Sequence, residues 1–398
     1  MLKKYSRDQL LVLIGACLAQ CALLGILVNC VSVLLGAVSA DLAMDMTRVS
    51  AYHTLKSIAS AVSAAFLTTL FFRINKAVFM GTCIGGIVVG HLLLVVGAGS
   101  WIWWVSAVVI GLAYSTCGIC VPYILGLWFP KNAGFATGIA LAFSGIGGVL
   151  FNPIASRLIT AYGWRSAILI MSVITAVIAV PGVLLAFGKK PPAPPHETDT
   201  QVKKVTLSAG RPDLAKKIFP LWQFALACGT IVVMFNNYIS SYATDLGYAL
   251  ETGATLASLV MAGNVLGKLL FGAACDRFGV WKTTQTNFAI LAVAMVCYLF
   301  FSDFLPALYL ASLLFGSVYG INMIAISRGC IAAYGHEGSK KYLGLHTGIG
   351  SGLGAVCSFL VGPLYDATGS FNALLGINLA MLCLSFFAVV PIRKMLKN

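Results

Sequence analysis

The sequence predicts an all-α integral membrane protein, with twelve transmembrane helices in two pseudo-symmetric six-helix bundles. Three observations lead there. Of 398 residues, 59% are hydrophobic and only 10% charged, and mean hydropathy is +0.93; soluble domains carry about 25% charged residues. The apolar residues gather in runs near the roughly 20 residues that cross a bilayer. The basic residues gather on one side of those runs. So few charges cannot cover a water-soluble enzyme of this length, and the same composition excludes a disordered chain, a collagenous repeat and a secreted disulfide scaffold.

Lys3, Lys4 and Arg7 precede the first apolar run, 10–36. That run is longer than a signal-peptide core, so an uncleaved first span with a cytoplasmic N-terminus is expected. The next runs are 50–71, 78–97, 101–128, 133–155 and 166–188. From Lys189 to Lys217 the composition changes, with Pro191-Pro192-Ala193-Pro194-Pro195 and seven Lys/Arg. This reads as a solvated linker. Six more runs follow: 218–243, 253–273, 282–301, 305–333, 341–364 and 371–391. Each must be a helix, because lipid cannot satisfy an open backbone. The expected division is a first bundle over 1–188, a cytoplasmic linker over 189–217 and a second bundle over 218–398.

The formal charge of +14 comes from 26 Lys+Arg against 12 Asp+Glu. With the N-terminus inside, twenty of these cations fall on the inner side: Lys3, Lys4, Arg7, Arg73, Lys76, Lys131, the seven of the linker, Arg277, Lys282, Lys340, Lys341, Arg393, Lys394 and Lys397. Only Arg48, Arg157 and Arg165 fall outside. That bias orients the chain, places both termini in the cytoplasm and accounts for the basic composition. Nucleic acid would need a clustered basic face, so no such partner is expected. The 12 cysteines lie almost entirely within apolar runs, as small hydrophobes. Cys117-x-x-Cys120 has no second pair or nearby His to complete a metal site, so neither metal nor cofactor is expected.

The halves resemble each other. Gly111-Leu-Ala-Tyr114 matches Gly316-Ser-Val-Tyr319 at an offset of 205, Arg73 matches Arg277 at 204, and Gly138-Ile…Pro153 matches Gly348-Ile…Pro363 at 210. Three near-equal offsets close to half the chain point to duplication, a plan found among secondary transporters.

After span eight stands Gly272-Ala-Ala-Cys-Asp276-Arg277-Phe-Gly279-Val-Trp-Lys282. It resembles the cytoplasmic G-x-x-x-D-R-x-G-x-x-[RK] loop of the major facilitator superfamily. Gly272 and Gly279 are expected to permit close helix approach and a tight turn. The resemblance implies a state-dependent lock on the inner side, formed by Asp276, Arg277 and Lys282. In the first-half copy Phe72 stands for Asp and Asn75 for Gly, with Arg73 and Lys76 kept. A second stretch, Trp128-Phe129-Pro-Lys131-Asn-Ala-Gly134-Phe-Ala136-Thr-Gly138-Ile-Ala140-Leu-Ala-Phe-Ser144-Gly145, is similar to the span four–five signature of monocarboxylate transporters and oxalate:formate antiporters. Tyr162-Gly163-Trp164-Arg165 and Asn264-x-x-Gly267-Lys268-x-x-Phe271-Gly272 resemble the same group. The resemblance implies that a cation on span eight pairs with the substrate carboxylate. The family usually has Arg there; this chain has Lys268. Where relatives carry a lysine in span one or eleven, this chain has Asn29, and Ile349 or His346.

A charge at mid-membrane costs at least about 2.5–3.5 kcal/mol. Lys268 lies eight residues before Asp276, about 12 Å in from the cytoplasmic end. It reads as an anion contact, or as a lysine bonded to helix carbonyls or snorkelling. Lys56 is about 10 Å in from the outer side. It reads as a snorkelling lysine or an outer-cavity residue, with His53 on the same helix face. Arg328, at the inner end of span ten, reads as a snorkelling or gating residue. No Asp or Glu falls clearly inside a span, so the cavity is expected to be positive and to favour an anion. A coupled proton would then ride on His346, His53 or the substrate-occupied lysine.

Asn236, Asn237 and Tyr238 on span seven correspond to Asn29 on span one. They either bind substrate oxygens or join helices. Tyr114 on span four and Tyr319 and Asn322 on span ten are further cavity candidates. The glycine runs of spans five and eleven read as close-packing helices, since no strand precedes them to make a nucleotide loop. His91 reads as structural.

The expectation is therefore a secondary active transporter of a small, monocarboxylate-like organic anion, working by alternating access as a proton symporter or anion exchanger. The substrate would enter between the bundles and neutralise Lys268. An inorganic oxyanion such as nitrate is the alternative; a membrane sensor would need an output domain, and an enzyme a catalytic cluster. The chain is expected to act as a monomer in the cell's inner (plasma) membrane.

Overall fold

The computed structural model describes residues 5–97, 100–114, 117–129, 132–189 and 212–395, and every regular element among them is helical. Lys3, Lys4, Lys131, Lys397 and linker residues 190–211 lie outside the described residues, as do the side chains of Phe72, Cys117, Lys340 and Lys341. Among the described residues, eight helical stretches are long and apolar enough to cross a membrane: Arg7–Asp41, Lys76–Val96, Phe135–Phe187, Lys217–Asp245, Leu250–Phe278, Val280–Phe300, Gly348–Thr368 and Asn372–Met395. The predicted spans two, four and ten correspond to Met46–Arg73, to Ser100–Tyr114 with Cys117–Trp128, and to a series beginning at Leu305–Phe315.

Polar residues set where helices begin. Ser6 accepts from the Gln9 amide and Gln9 reaches back to the Ser6 amide, a capping box that starts Arg7–Gln20. Asp45 caps Met46–Arg73, accepting from Arg48 N at 2.8 Å. Asn75 caps Lys76–Val96, accepting from Ala77 and Val78.

Two helical runs each cover a pair of predicted spans. Ala133–Phe187 contains spans five and six, and it bends at Gly163, whose φ of 76° and ψ of 161° are not helical. Such torsions are essentially glycine-only. Ile326–Thr368 contains the end of span ten and all of span eleven. A straight helix would hold Tyr334 and His346 about 18 Å apart along its axis. The Tyr334 hydroxyl is 3.0 Å from His346 Nε2, so this run is not straight.

The described chain packs as two units, Met1–Pro194 with Ile239–Met261, and Pro195–Tyr238 with Ala262–Asn398. In the first, span one lies on spans five and six through bare glycines. A Cβ on Gly147 would stand 2.6 Å from Gly25 Cα, and one on Gly15 would stand 2.5 Å from Ala186 N. Small residues let helix backbones touch, which is where association in lipid finds its dispersion energy. Spans two and four cross at Gly111, where a Cβ would meet Lys56 O at 2.3 Å and Ala59 Cβ at 2.8 Å. Tyr52 and Trp103 fill this layer edge to face, both fully buried.

The second unit repeats the crossing. A Cβ on Gly263 would meet Leu313 O at 2.0 Å and Gly316 Cα at 3.0 Å. Ala59 and Gly263 are 204 apart, and Gly111 and Gly316 205 apart, so the duplication read from the sequence appears as one packing contact made twice. Around it Phe235, Tyr298, Phe315 and Phe371 form a buried aromatic core. Two packing expectations need correction. Gly272 is not a point of close approach, since a Cβ there would meet only Ile324 Cδ1 at 4.0 Å; Gly263 and Gly267 do that work. In the second glycine run, Gly348 and Gly352 face open space and only Gly354 is tight, at 3.0 Å from Thr230.

Candidate functional site

The polar candidates cluster where spans lose regular helix. Span one passes through a π-helical turn at Cys21–Ile26 and then a non-helical stretch, 27–30, that holds Asn29. Span seven tightens to 3-10 geometry over Met234–Tyr238, which holds Asn236, Asn237 and Tyr238. Span ten breaks after Phe315 and runs through Val318–Gly320 and a π-helical Ile321–Ala325, which together hold Tyr319 and Asn322. Tyr114 is the last described residue of the stretch Ser100–Tyr114. Irregular backbone at membrane depth persists only where protein buries it or a wet cavity receives it.

In the second unit, Lys268 follows Gly267, where a Cβ would stand 2.7 Å from Ser317 Cα. That close approach brings the Lys268 ammonium over the Tyr319 ring, 5.7 Å from its centroid. The arrangement is a cation–π contact, which leaves the charge electrostatically available to an anion. Lys268 is half-buried, and no carboxylate pairs with it among the described residues. Asn264, one helical turn back, is buried. Asn322 stands beside Gly229, whose added Cβ would lie 3.5 Å from Asn322 Oδ1. Asn236 Oδ1 is buried with no hydrogen-bond partner among the described residues; Asn237 is half-buried. Tyr238 is fully buried against Phe371, in the aromatic core.

His346 is buried, with both ring nitrogens engaged. Nδ1 is 2.7 Å from Gln223 Oε1, which can only accept, so Nδ1 carries the proton. Nε2 of the neutral ring then accepts from the Tyr334 hydroxyl. Phe219 stacks on the imidazole at 4.6 Å. Gln223, Tyr334 and Phe219 were missed from the sequence; a lone glutamine in the apolar run of span seven was the available signal.

At the end of span eight, Asp276 accepts from the Arg328 guanidinium. Arg277 and Lys282 lie over the Phe278 ring, 5.2 and 5.5 Å from its centroid. Gly279 makes the turn into Val280–Phe300 with φ 80° and ψ 155°, almost the torsions of Gly163.

In the first unit, Lys56 is half-buried at the crossing of spans two and four. No carboxylate pairs with it among the described residues. His91 Nδ1 donates to Ile87 O at 2.8 Å. Asn29 Nδ2 donates to Ser144 O at 2.8 Å, joining spans one and five. Tyr114 is 37% exposed. A group the sequence did not show ties Asp41 to the turn at Gly163: Trp164 Nε1 and Arg165 both donate to Asp41 Oδ2, at 2.8 and 3.1 Å.

Long apolar helices, duplicated crossings and two half-buried lysines without a carboxylate partner among the described residues fit a polytopic membrane transporter. The chain belongs to the Major Facilitator Superfamily, whose family model matches residues 17–347. It is not an enzyme. It is 28% identical over 326 residues to monocarboxylate transporter 12-B of Danio rerio, covering 72% of this chain and 67% of that protein. Human monocarboxylate transporter 12 is 26% identical over 296 residues, covering 67% and 57%. The probable transporter MCH2 of Saccharomyces cerevisiae is 23% identical over 220 residues, covering 54% and 45%. In fold it is similar to a crystal structure of the nucleoside transporter NupG, with a TM-score of 0.70 over 99% of this chain and 100% of that one, at 15% identity.

Proposed function

We propose that the protein carries a small monocarboxylate-like anion, with Lys268 as the substrate's charge partner. The observation that carries this reading is a half-buried ammonium without a carboxylate partner among the described residues, set over Tyr319 where span ten is irregular. A bound carboxylate would supply the missing charge and lower the cost of holding the lysine at that depth. Tyr319 and Asn322 would orient the anion, and the relatives named for monocarboxylate transport support the same class. The Asp276–Arg328 pair would act as the inner lock, with Gly279 holding its turn.

Orientation with both termini in the cytoplasm, residence in the plasma membrane, a six-plus-six helix division and a monomeric state belong to the same proposal. The test is uptake of labelled formate, acetate, lactate and nitrate into proteoliposomes. Monocarboxylate uptake that Lys268→Gln abolishes, in a variant that still inserts, supports the assignment. Uptake of nitrate alone moves it to the inorganic oxyanions, and unchanged uptake in the variant removes Lys268 from the site. Symport and exchange separate in the same vesicles. Symport places the proton on His346, so an inward pH gradient drives accumulation and His346→Gln ends it; exchange needs only anion inside and ignores both changes.

A further inference from the structure

On the second unit a groove of about 470 Å³ runs between spans eight, nine and ten. Gly263 and Gly267 line it beside the crossing, where their missing side chains let the backbone of span ten close in on span eight. Its wall is carbon. Leu266 and Leu270 line it and are 49% and 67% exposed; Ile290 and Ala274 complete its length. Asn287 and Ser317 also border it, but their unpartnered oxygens have no accessible surface and do not face the opening. Lys268 does not line this groove.

One end of the groove is charged. Phe278 lines it there, and the Arg277 guanidinium and Lys282 ammonium both lie over its ring. Asp276, the nearest acid in sequence, is engaged by Arg328. Neither Arg277 nor Lys282 has a carboxylate partner among the described residues. An apolar trough of that volume ending in two uncompensated cations matches an amphiphile with one hydrocarbon chain lying lengthwise and an anion at its end. In a helix bundle that crosses a bilayer, the molecule of that description at hand is a phospholipid.

We infer that this groove is a binding site for an anionic phospholipid, with one acyl chain along Leu266, Leu270 and Ile290 and its phosphate between Arg277 and Lys282. The phosphate accepts charge-assisted hydrogen bonds from both cations, and the acyl chain fills the groove beside the glycine crossing. The site ties the segment that bears Asp276 to the composition of the membrane. It is independent of which solute the protein carries.

The full-length protein is reconstituted into phosphatidylcholine vesicles containing a minor fraction of dioleoylphosphatidylglycerol, re-extracted in mild detergent, and its retained lipid read by native mass spectrometry. Phosphatidylglycerol should be enriched over its share of the vesicle by on the order of tenfold, from two cations near the surface. Leu270→Trp, which fills the groove, and the double substitution Arg277→Gln with Lys282→Gln, which leaves the packed interior alone, should each return retention to the vesicle ratio. Leu184→Trp should change nothing; it lies in an uncharged groove of about 310 Å³ on the first unit. Retention at the vesicle ratio in the wild-type protein, or enrichment that survives the double charge substitution, overturns the proposal.

Discussion

The loops after spans two and eight occupy corresponding places in the duplicated halves, 204 residues apart, yet they turn by different means. After span eight, Gly279 takes a left-handed torsion and gives the next helix no side-chain cap. After span two, Asn75 stays in the extended region at φ −60° and caps the next helix with its own oxygen. Lys76 folds back onto Ile74 O at 3.2 Å. Asp276 reaches Arg328 in the second half, whereas the first has Phe72 at that place. The first loop has become a local turn that satisfies its own backbone. The second keeps a strained glycine and a long-range ion pair, which is how a position looks when its job lies beyond the turn.

The largest effect that would sharpen this contrast is at the intramembrane lysines. Lys268→Gln should lower uptake roughly a hundredfold, the loss of a charge contact in a dry site. Lys56→Gln should keep most activity in the same assay; equal losses would break the asymmetry between halves. Next come the turns. Gly279→Ala should cost about 1–3 kcal/mol in detergent melting, because the methyl meets no atom and the penalty is purely torsional. Asn75→Gly should cost a few tenths of a kcal/mol, since glycine is itself a tolerable cap. Equal shifts would refute the idea that the two loops turn differently. Arg328→Gln should likewise cost little stability, under about 1 kcal/mol for a solvent-exposed pair. Its uptake should nonetheless fall several-fold, while Arg73→Gln leaves uptake alone.

Much of this molecule was legible in its sequence. Hydropathy located the spans, and the two family motifs carry the glycine turns at Gly163 and Gly279. What stayed hidden has physical causes. Proline, the usual break signal, sits inside continuous helix at Pro122, Pro153, Pro220 and Pro363. The actual irregularities, at Cys21–Ile26, Met234–Tyr238 and Ile321–Ala325, contain no proline. They follow from what packs against them, which local propensity does not encode. Lys268 was legible as a costly charge, but its companion ring comes from span ten through the Gly267 contact. His346 looked like a lone histidine because Gln223 is 123 residues away. Gly272 misled, since a motif glycine suggests crowding where the structure has room.

Segments 27–30 and 234–238 have one more consequence. Amides locked in regular helix inside a bilayer trade their hydrogen for deuterium very slowly, because exchange needs both water and an opened bond. In these short stretches the ladder is already interrupted. Isotope labelling should therefore light up the middle of helices one and seven before their ends, the reverse of ordinary fraying.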